Sequence, residues 1–232
     1  MIMQHGDFVE VDYVGRVKIT GDIFDLTNED VARKEKIHDP KAPYGPALII
    51  IGSQMTVHGV MKELEKMNVG EERTFDVLPD EGFGQRDVKL IKILPASKFI
   101  ENKINPVPGE YFDIDGMQAK IQSVSGGRVR VDFNNPLAGK ALTYDMKVIR
   151  KIEDDKEKIE KLLNYYRVDY THVILKGKEL EIKTKKPVSQ VLRKFIGDIV
   201  TKWIKVGEKI EYVSEEDKKA EEKSESAEAK KD

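Results

Sequence analysis

The chain contains no cysteine, which excludes disulfide bonds, thiolate metal sites and cysteine nucleophiles. Its histidines are too scattered to predict a metal cluster, and no cofactor is indicated; they are His5, His38, His58 and His172. No hydrophobic run approaches the length of a membrane span, and the N-terminal MIMQHGDFVEV lacks the basic-then-apolar order of a signal peptide. We therefore expect a cytoplasmic protein without a membrane partner.

The chain also lacks an excess of charge of either sign. Charged residues make up 35% of it but leave a net charge of only -2. Such a balance argues against a whole-protein field that gathers nucleic acid. Local surfaces must therefore select the partners. At 232 residues, the chain is long enough for more than one domain.

Alternating and helical patterns organise the first part of the chain. Residues 7–20 alternate as a half-buried strand does, with Val9, Val11 and Tyr13 on the core side. A polar helix is predicted over Thr27–Lys36, with Thr27 or Asn28 as its cap. Apolar residues 47–51 predict a strand, residues 57–66 a short helix, and residues 73–79 another strand.

A separate β module is predicted between the two prolines at 106 and 108 and the NNP at 134–136. Three strands are expected, at Tyr111–Ile114, Met117–Val124 and Arg128–Phe133, with tight turns at Asp115-Gly116 and Gly126-Gly127. Residues 141–152 then read as a strand that returns to the first domain.

The C-terminal region predicts a helix, a hairpin and a second helix. The second helix has an apolar surface wider than a two-strand hairpin needs; its residues are Val191, Leu192, Phe195, Ile196, Ile199, Val200 and Trp203. Two explanations stay open: a homodimer surface, or a face docked on the rest of the chain. The last residues are charged and nearly devoid of apolar groups, so disorder is predicted there.

Several ordered motifs carry a family resemblance: FVEVDYVG, Phe24-Asp25, PALIIIGSQMTVHG, VGEERTFDVLPDEGFGQ and PLAGKALTYDMKV. This set resembles the FKBP-type peptidyl-prolyl isomerases over roughly residues 5–153. The segment between DEGFGQ and PLAGKALTYDMKV resembles the insertion of the SlyD-like branch, and the C-terminal region resembles the long archaeal type. The tail has neither His nor Cys, so nickel handling is not expected.

The resemblance implies an α+β protein with an FKBP-like antiparallel sheet, a short helix, a small β domain inserted in the flap and a mixed C-terminal domain. The expected domains are 1–87 with 136–153 for the isomerase, 88–135 for the insert, 154–213 for the C-terminal domain and 214–232 for a disordered tail. The implied activity is peptidyl-prolyl cis-trans isomerisation, with chaperone-like binding of unfolded chains by the insert.

The resemblance also assigns site residues. Tyr13 is expected to orient Asp25, beside the aromatic wall of Phe24, while Val60 replaces a floor tryptophan and Phe83 a loop tyrosine. The remaining assignments to the prolyl site are Ala47, Thr56, Val57 and Tyr144. The insert is expected to bind clients through an apolar groove; its residues are Ile93, Phe99, Tyr111, Phe112 and Met117.

Each of these residues has a structural alternative, because apolar residues at such spacings usually only pack. Two other function classes also stay open. The chain could be a holdase whose isomerase activity is incidental, or its basic run could face RNA or the ribosome; that run is Lys183, Lys185, Lys186, Arg193 and Lys194. Interleaved glutamates and the lack of an RNA-recognition aromatic pattern disfavour nucleic acid. The expected partners are proline-containing peptides and unfolded proteins.

Overall fold

A computed structural model of the protein describes residues 3–114, 117–206 and 209–214. The described residues form three β-sheets with five α-helices, an α+β architecture as predicted. No described helix combines the length and apolar character that crossing a membrane requires.

The first sheet is antiparallel and is built around the long strand β1. It contains β1 (Phe8–Val17), β2 (Ile23–Leu26), β3 (Ala47–Ile50), β4 (Glu72–Val77) and β9 (Leu142–Ile152). The order is β2-β1-β9-β4, and β3 pairs with the start of β1. Helix α1 (Glu29–Lys34) is capped by Asn28, and helix α2 (His58–Leu64) begins after Val57.

The second sheet lies within the predicted insert and has the order β5-β8-β7-β6. Its strands are β5 (Ile91–Pro95), β6 (Tyr111–Ile114), β7 (Met117–Ser125) and β8 (Arg128–Asp132), and helix α3 (Ala96–Glu101) packs beside it. Gly126 and Gly127 both have positive φ between β7 and β8, as a tight hairpin requires. The predicted turn at Asp115-Gly116 lies outside the described residues.

The chain enters and leaves the insert side by side. The Asp87 amide donates to the Asn134 side chain at 2.8 Å, and the Asn134 amide group donates back to the Asp87 carbonyl at 2.9 Å. Arg86 also pairs with the buried carboxylate of Asp132. These contacts fix the base of the second sheet against the first domain.

The C-terminal region adds a third sheet and the two largest helices. Its elements are α4 (Asp155–Tyr165), β10 (Tyr170–Lys176), β11 (Glu179–Thr184), α5 (Gln190–Ile199) with a π-helical turn (Val200–Ile204), and β12 (Lys209–Ser214). Strand β12 runs parallel to β11 and was not predicted. Ser214, assigned to the tail, is buried in β12, and residues 215–232 lie outside the described residues.

The prediction that β1 is half-buried is wrong at its start, because both of its faces are covered there. Val9 and Val11 belong to the core on one face of the first sheet, while Phe8 lies in a second core with Ile159 of α4 and Ile196 of α5. The helices of the C-terminal region therefore dock on the back of the first sheet. Of the two explanations offered for the apolar second helix, the structure shows docking on the rest of the chain.

One buried carboxylate lies at the contact between the first sheet and helix α4. Glu10 is 6% exposed and pairs with Arg150 of β9 at 2.6 Å and with Lys161 of α4 at 2.5 Å. Arg150 also binds Glu157 of α4, and these two carboxylates raise the pKa of Arg150. A buried carboxylate needs such partners to offset its desolvation, and Arg150 and Lys161 provide them for Glu10 at this contact.

Candidate prolyl site

Neighbouring strands position a tyrosine and an aspartate at one end of the first sheet. Register places Gly15 of β1 opposite Asp25 of β2, and the Tyr13 hydroxyl donates to an Asp25 carboxylate oxygen at 2.7 Å. Thr27 anchors this corner, because its hydroxyl accepts from the Tyr13 amide at 2.9 Å and donates to Asp12 at 3.0 Å. The exposed Asp25 carboxylate is thus held in one orientation.

Aromatic rings enclose the space beside this pair. Tyr144 of β9 lies at the centre, with Phe24 edge-on at 5.8 Å, Phe75 stacked at 5.9 Å and Tyr13 tilted at 6.1 Å between ring centroids. Phe83 meets Phe24 in a T-shaped contact at 6.3 Å. Such edge and offset contacts are the stable arrangements of aromatic pairs, so the rings support one another.

Gly15 makes room for one of these rings. A Cβ atom added at Gly15 would lie 2.6 Å from the tip of the Phe24 ring, closer than packing allows. The site therefore depends on a glycine that the prediction did not include. A glycine inside a strand often marks the close approach of another group, and that signal was present in FVEVDYVG.

The space between these residues is a cavity of about 530 Å³ that opens to solvent. It brings together all but one of the residues predicted for the prolyl site; they are Tyr13, Phe24, Asp25, Ala47, Thr56, Val57, Phe83 and Tyr144. Val60 is the exception, since it is 1% exposed within the core on which the cavity rests and does not line it. The structure thus gives Val60 a packing position.

Comparison with known proteins gives matches over both the first sheet and the inserted sheet. The model of the FKBP-type peptidyl-prolyl cis-trans isomerase family matches residues 2–100, and a model described as FKBP26, IF domain matches residues 92–137. A short-type peptidyl-prolyl cis-trans isomerase of Methanocaldococcus jannaschii is 35% identical over 147 residues, which cover 63% of this chain and 92% of that protein.

The chain belongs to the FKBP-type peptidyl-prolyl cis-trans isomerase family. It is therefore a peptidyl-prolyl isomerase that acts on proline-containing polypeptides.

Two bacterial relatives extend the comparison. The SlyD isomerase of Helicobacter pylori is 33% identical over 117 residues, covering 49% of this chain and 63% of that protein. An FKBP-type 16 kDa isomerase of Escherichia coli is 31% identical over 109 residues, covering 45% of this chain and 72% of that protein. The SlyD-like interpretation of the sequence is consistent with these similarities.

Six further residues line the cavity of this FKBP-type isomerase and were not predicted as site residues: Leu48, Ile49, Gln54, Met55, Met146 and Tyr165. Met146 lies on β9 two residues after Tyr144, so the alternation of that strand could have identified it. Tyr165 is the last residue of α4 and reaches the cavity only because the C-terminal region docks on the first sheet. No local sequence pattern signals such a contact.

Tyr13 and Tyr144 stay protonated at the site. Burial, followed by the hydrogen bond to Asp25, raises the pKa of Tyr13. Burial also raises the pKa of Tyr144 to about 12, with a smaller contribution from the Asp25 charge. Both hydroxyls therefore remain neutral at physiological pH, and Tyr13 remains a hydrogen-bond donor.

The predicted client-binding residues separate into exposed and buried groups. Ile93 of β5 is 65% exposed and Tyr111 of β6 is 47% exposed, whereas Phe99 of α3 is fully buried in the core of the insert. Phe112 is partly buried and packs edge-on against Phe99 at 5.2 Å. The assignment of Phe99 to a surface groove is wrong, because α3 needs it as its packing residue. The side chain of Met117 lies outside the described residues.

The basic run of the C-terminal region is largely engaged within the chain. Lys185 pairs with Asp169 at 3.1 Å and Lys183 with Glu181 at 3.6 Å. Arg193 donates to the Val188 carbonyl and lies over the Tyr212 ring. Two of the five basic residues are thus paired with carboxylates, and these contacts give the nucleic-acid alternative no support.

Proposed function

We propose that this isomerase turns prolyl bonds of unfolded polypeptides in the cavity beside Tyr13 and Asp25, and holds those polypeptides on the inserted sheet. Rotation of a prolyl bond must break amide resonance, with a barrier of about 18–20 kcal/mol. No covalent bond is made or broken. The site therefore has only to favour the twisted amide over the planar one.

The cavity can do this by enclosing the amide. A twisted amide has less charge on its oxygen than a planar one, so transfer from water to an aromatic enclosure costs the planar form more. Phe24, Phe83 and Tyr144 provide the enclosure, and Asp25, held by Tyr13, provides a fixed polar contact. The main chain at Val57, which precedes α2, offers a further contact for the substrate backbone.

The exposed apolar surface of the insert carries the proposal of client binding. Among the described residues, seven of the fourteen large hydrophobic side chains that are exposed lie between residues 88 and 124. They are Val88, Leu90, Ile93, Ile100, Val107, Tyr111 and Val124. Exposed apolar side chains concentrated in one small module are typical of a protein-binding surface.

The strand order makes that surface suitable for extended chains. β5 and β6 are the two edges of the inserted sheet, and each carries one of the exposed residues, Ile93 and Tyr111. A free strand edge offers backbone hydrogen bonds to any sequence, and apolar side chains beside it select unfolded segments. A client held there presents its prolines to the cavity at raised effective concentration.

The experiment compares a protein substrate with a short peptide. The double variant Ile93→Ser with Tyr111→Ser should slow catalysed refolding of a proline-limited protein at least fivefold, while isomerisation of a tetrapeptide stays unchanged. Val69→Ser, at a residue that is 46% exposed outside the insert, is the matched control and should alter neither rate. Equal losses on both substrates would contradict client binding by the insert.

Substitutions in the cavity test the alternative that the protein is a holdase with incidental isomerase activity. If the protein only suppressed aggregation, Tyr13→Phe and Asp25→Ala would leave catalysed refolding unchanged. We expect both variants to slow refolding while suppression of aggregation persists.

We also propose that two copies of the chain form a homodimer through the C-terminal domain. Among the described residues, β12 lies at an edge of the third sheet, where a second copy could pair with it. Light scattering across micromolar concentrations is the test, and a monomer throughout would rule the proposal out.

A further inference from the structure

A second groove lies next to the prolyl cavity, where the isomerase sheet meets the C-terminal helices. It has a volume of about 670 Å³ and runs between the loop that follows β3 and the helices α4 and α5. Its apolar lining includes Met55, Tyr165, Tyr166, Phe195, Ile199 and Trp203. We call it the seam groove.

The seam groove adjoins the prolyl cavity. Gln54, Met55 and Tyr165 line both spaces. A polypeptide with its proline in the cavity can therefore pass beside Tyr165 and place a neighbouring side chain in the groove. The two spaces form one surface for an extended chain.

Aromatic rings dominate the chemistry of the seam groove. Tyr165 meets Tyr166 in a T-shaped contact at 5.0 Å, and Tyr166 meets Phe195 in another at 5.2 Å. Tyr165 is 46% and Phe195 49% exposed, so these rings have free surface for a further ring. Met55 adds a polarizable side chain that adapts to different shapes.

Charge does not select the occupant. The groove is also lined by Asp198 and Lys202, whose charges are opposite, and the Lys202 ammonium lies 4.5 Å from the Trp203 ring centroid. An acidic or basic side chain would gain from one and lose from the other. An uncharged aromatic side chain fits the lining best, because edge and offset contacts are available on several rings.

The groove is fixed relative to the cavity. The buried core behind it joins Phe8 and Ile152 of the first sheet to Ile159 and Ile196 of the C-terminal helices, and the Glu10 ion pairs lie in the same contact. Binding therefore does not require ordering of the C-terminal region, which keeps its entropic cost low.

We propose that the seam groove binds an aromatic side chain of the substrate that lies two to four residues from the proline, outside the two residues joined by the rotating bond. An extended chain advances about 3.3–3.6 Å per residue, so two to four residues span roughly 7–14 Å, enough to pass beside Tyr165. The inference rests on the assignment of the prolyl cavity. It makes the C-terminal region a part of the substrate site, with Phe195 determining specificity.

The test uses the full chain and a set of soluble peptides that each contain one Ala-Pro bond. A single Phe is moved through the positions two to four residues before and after the proline, and a peptide with Ala at all of them is the reference. We expect one register to raise kcat/KM about 5- to 10-fold over the reference, chiefly by lowering KM, because an aromatic contact contributes about 1 kcal/mol beyond its area.

Two variants on α5 distinguish an effect of the seam groove from a general effect on the helix. Phe195→Ser should reduce the ratio between the Phe peptide and the reference to within about twofold of unity. Lys194→Ser, at an exposed neighbour that does not line the groove, should keep the full ratio. A ratio unchanged in Phe195→Ser would overturn the inference.

The single tryptophan of the chain gives a direct second readout. Because Trp203 lines the groove, its fluorescence should change with the Phe peptide of the favoured register and not with the reference. If the reference is isomerised but no register is preferred and Trp203 does not respond, the seam groove is not a substrate site. If the Tyr13 and Asp25 variants isomerise the reference as fast as the wild type, it is the cavity assignment that fails.

Discussion

In the prolyl cavity the aromatic side chains enclose one another, whereas the inserted sheet, beside its own small core, leaves several large apolar side chains facing solvent. Tyr144 is only 5% exposed beneath the other rings, but Ile93 is 65% and Tyr111 is 47% exposed. Both regions are antiparallel β-structures of the same chain. The difference lies in what covers each sheet.

That difference separates two tasks. An enclosed cavity changes the relative energies of planar and twisted amides, which requires water to be excluded and the rings to stay in place. An exposed edge binds many sequences weakly and releases them, which requires neither. The cavity should therefore be sensitive to small changes in shape, and the insert mainly to loss of apolar surface.

The largest expected effect comes from removing the central ring of the cavity. Tyr144→Ala should lower the free energy of unfolding by about 3–5 kcal/mol, as for other large buried aromatics. Isomerase activity on a peptide should fall roughly 100-fold, because the neighbouring rings lose their position. Tyr144→Phe keeps the ring and should stay within a few-fold of the wild type. Denaturant unfolding and a peptide assay measure both effects.

Gly15→Ala tests the position of the Phe24 ring in the cavity wall. The added methyl group must displace the Phe24 ring, which should cost about 1–3 kcal/mol of stability and lower peptide activity roughly tenfold. Gly197→Ala in α5 is the control, since a Cβ there meets only Ile210 at 3.5 Å. That control should be neutral or stabilise by about 0.5–1 kcal/mol. Full activity of Gly15→Ala would show that the position of Phe24 is unimportant.

Tyr13→Phe removes the hydrogen bond that orients Asp25. Because the carboxylate is exposed and can bind water instead, we expect a loss of about 1 kcal/mol, or roughly fivefold in kcat/KM. Asp25→Ala combined with Tyr13→Phe should lose no more than Asp25→Ala alone, since the two residues act as a unit. Additive losses in this double-mutant cycle would mean that the tyrosine contributes independently of the aspartate.

The smallest expected effect is that of pH. The pKa of Tyr13 is raised and that of Tyr144 is about 12, so neither hydroxyl ionises until the pH rises far above neutrality. The reaction also transfers no proton. Peptide activity should therefore change less than about twofold between roughly pH 6 and 9. A bell-shaped profile with a pKa near neutrality would indicate an acid or base that this account lacks.

The sequence allowed the prediction of the site wherever local patterns were sufficient. Alternation placed Tyr13 on the core side of β1, and the family resemblance paired it with Asp25, as the 2.7 Å hydrogen bond shows. The hairpin between β7 and β8 followed from Gly126 and Gly127. In each case neighbouring residues determine the conformation.

Contacts between distant segments could not be predicted. Strand β12 pairs with β11 in parallel after a long connection, and parallel pairing has no turn signal. Phe8 alternates like a surface residue, but the docked helices bury it. Tyr165 reaches the cavity through the same docking. These features depend on how the C-terminal region packs on the first sheet, which no single segment specifies.

The most direct test of the account is steady-state kinetics on one unfolded protein substrate. Catalysed refolding is measured over a range of substrate concentrations for Asp25→Ala and for the Ile93→Ser, Tyr111→Ser double variant. The account predicts that the cavity variant lowers kcat and that the insert variant raises KM with kcat nearly unchanged. An insert variant that lowered kcat at unchanged KM would contradict the separation of catalysis from capture.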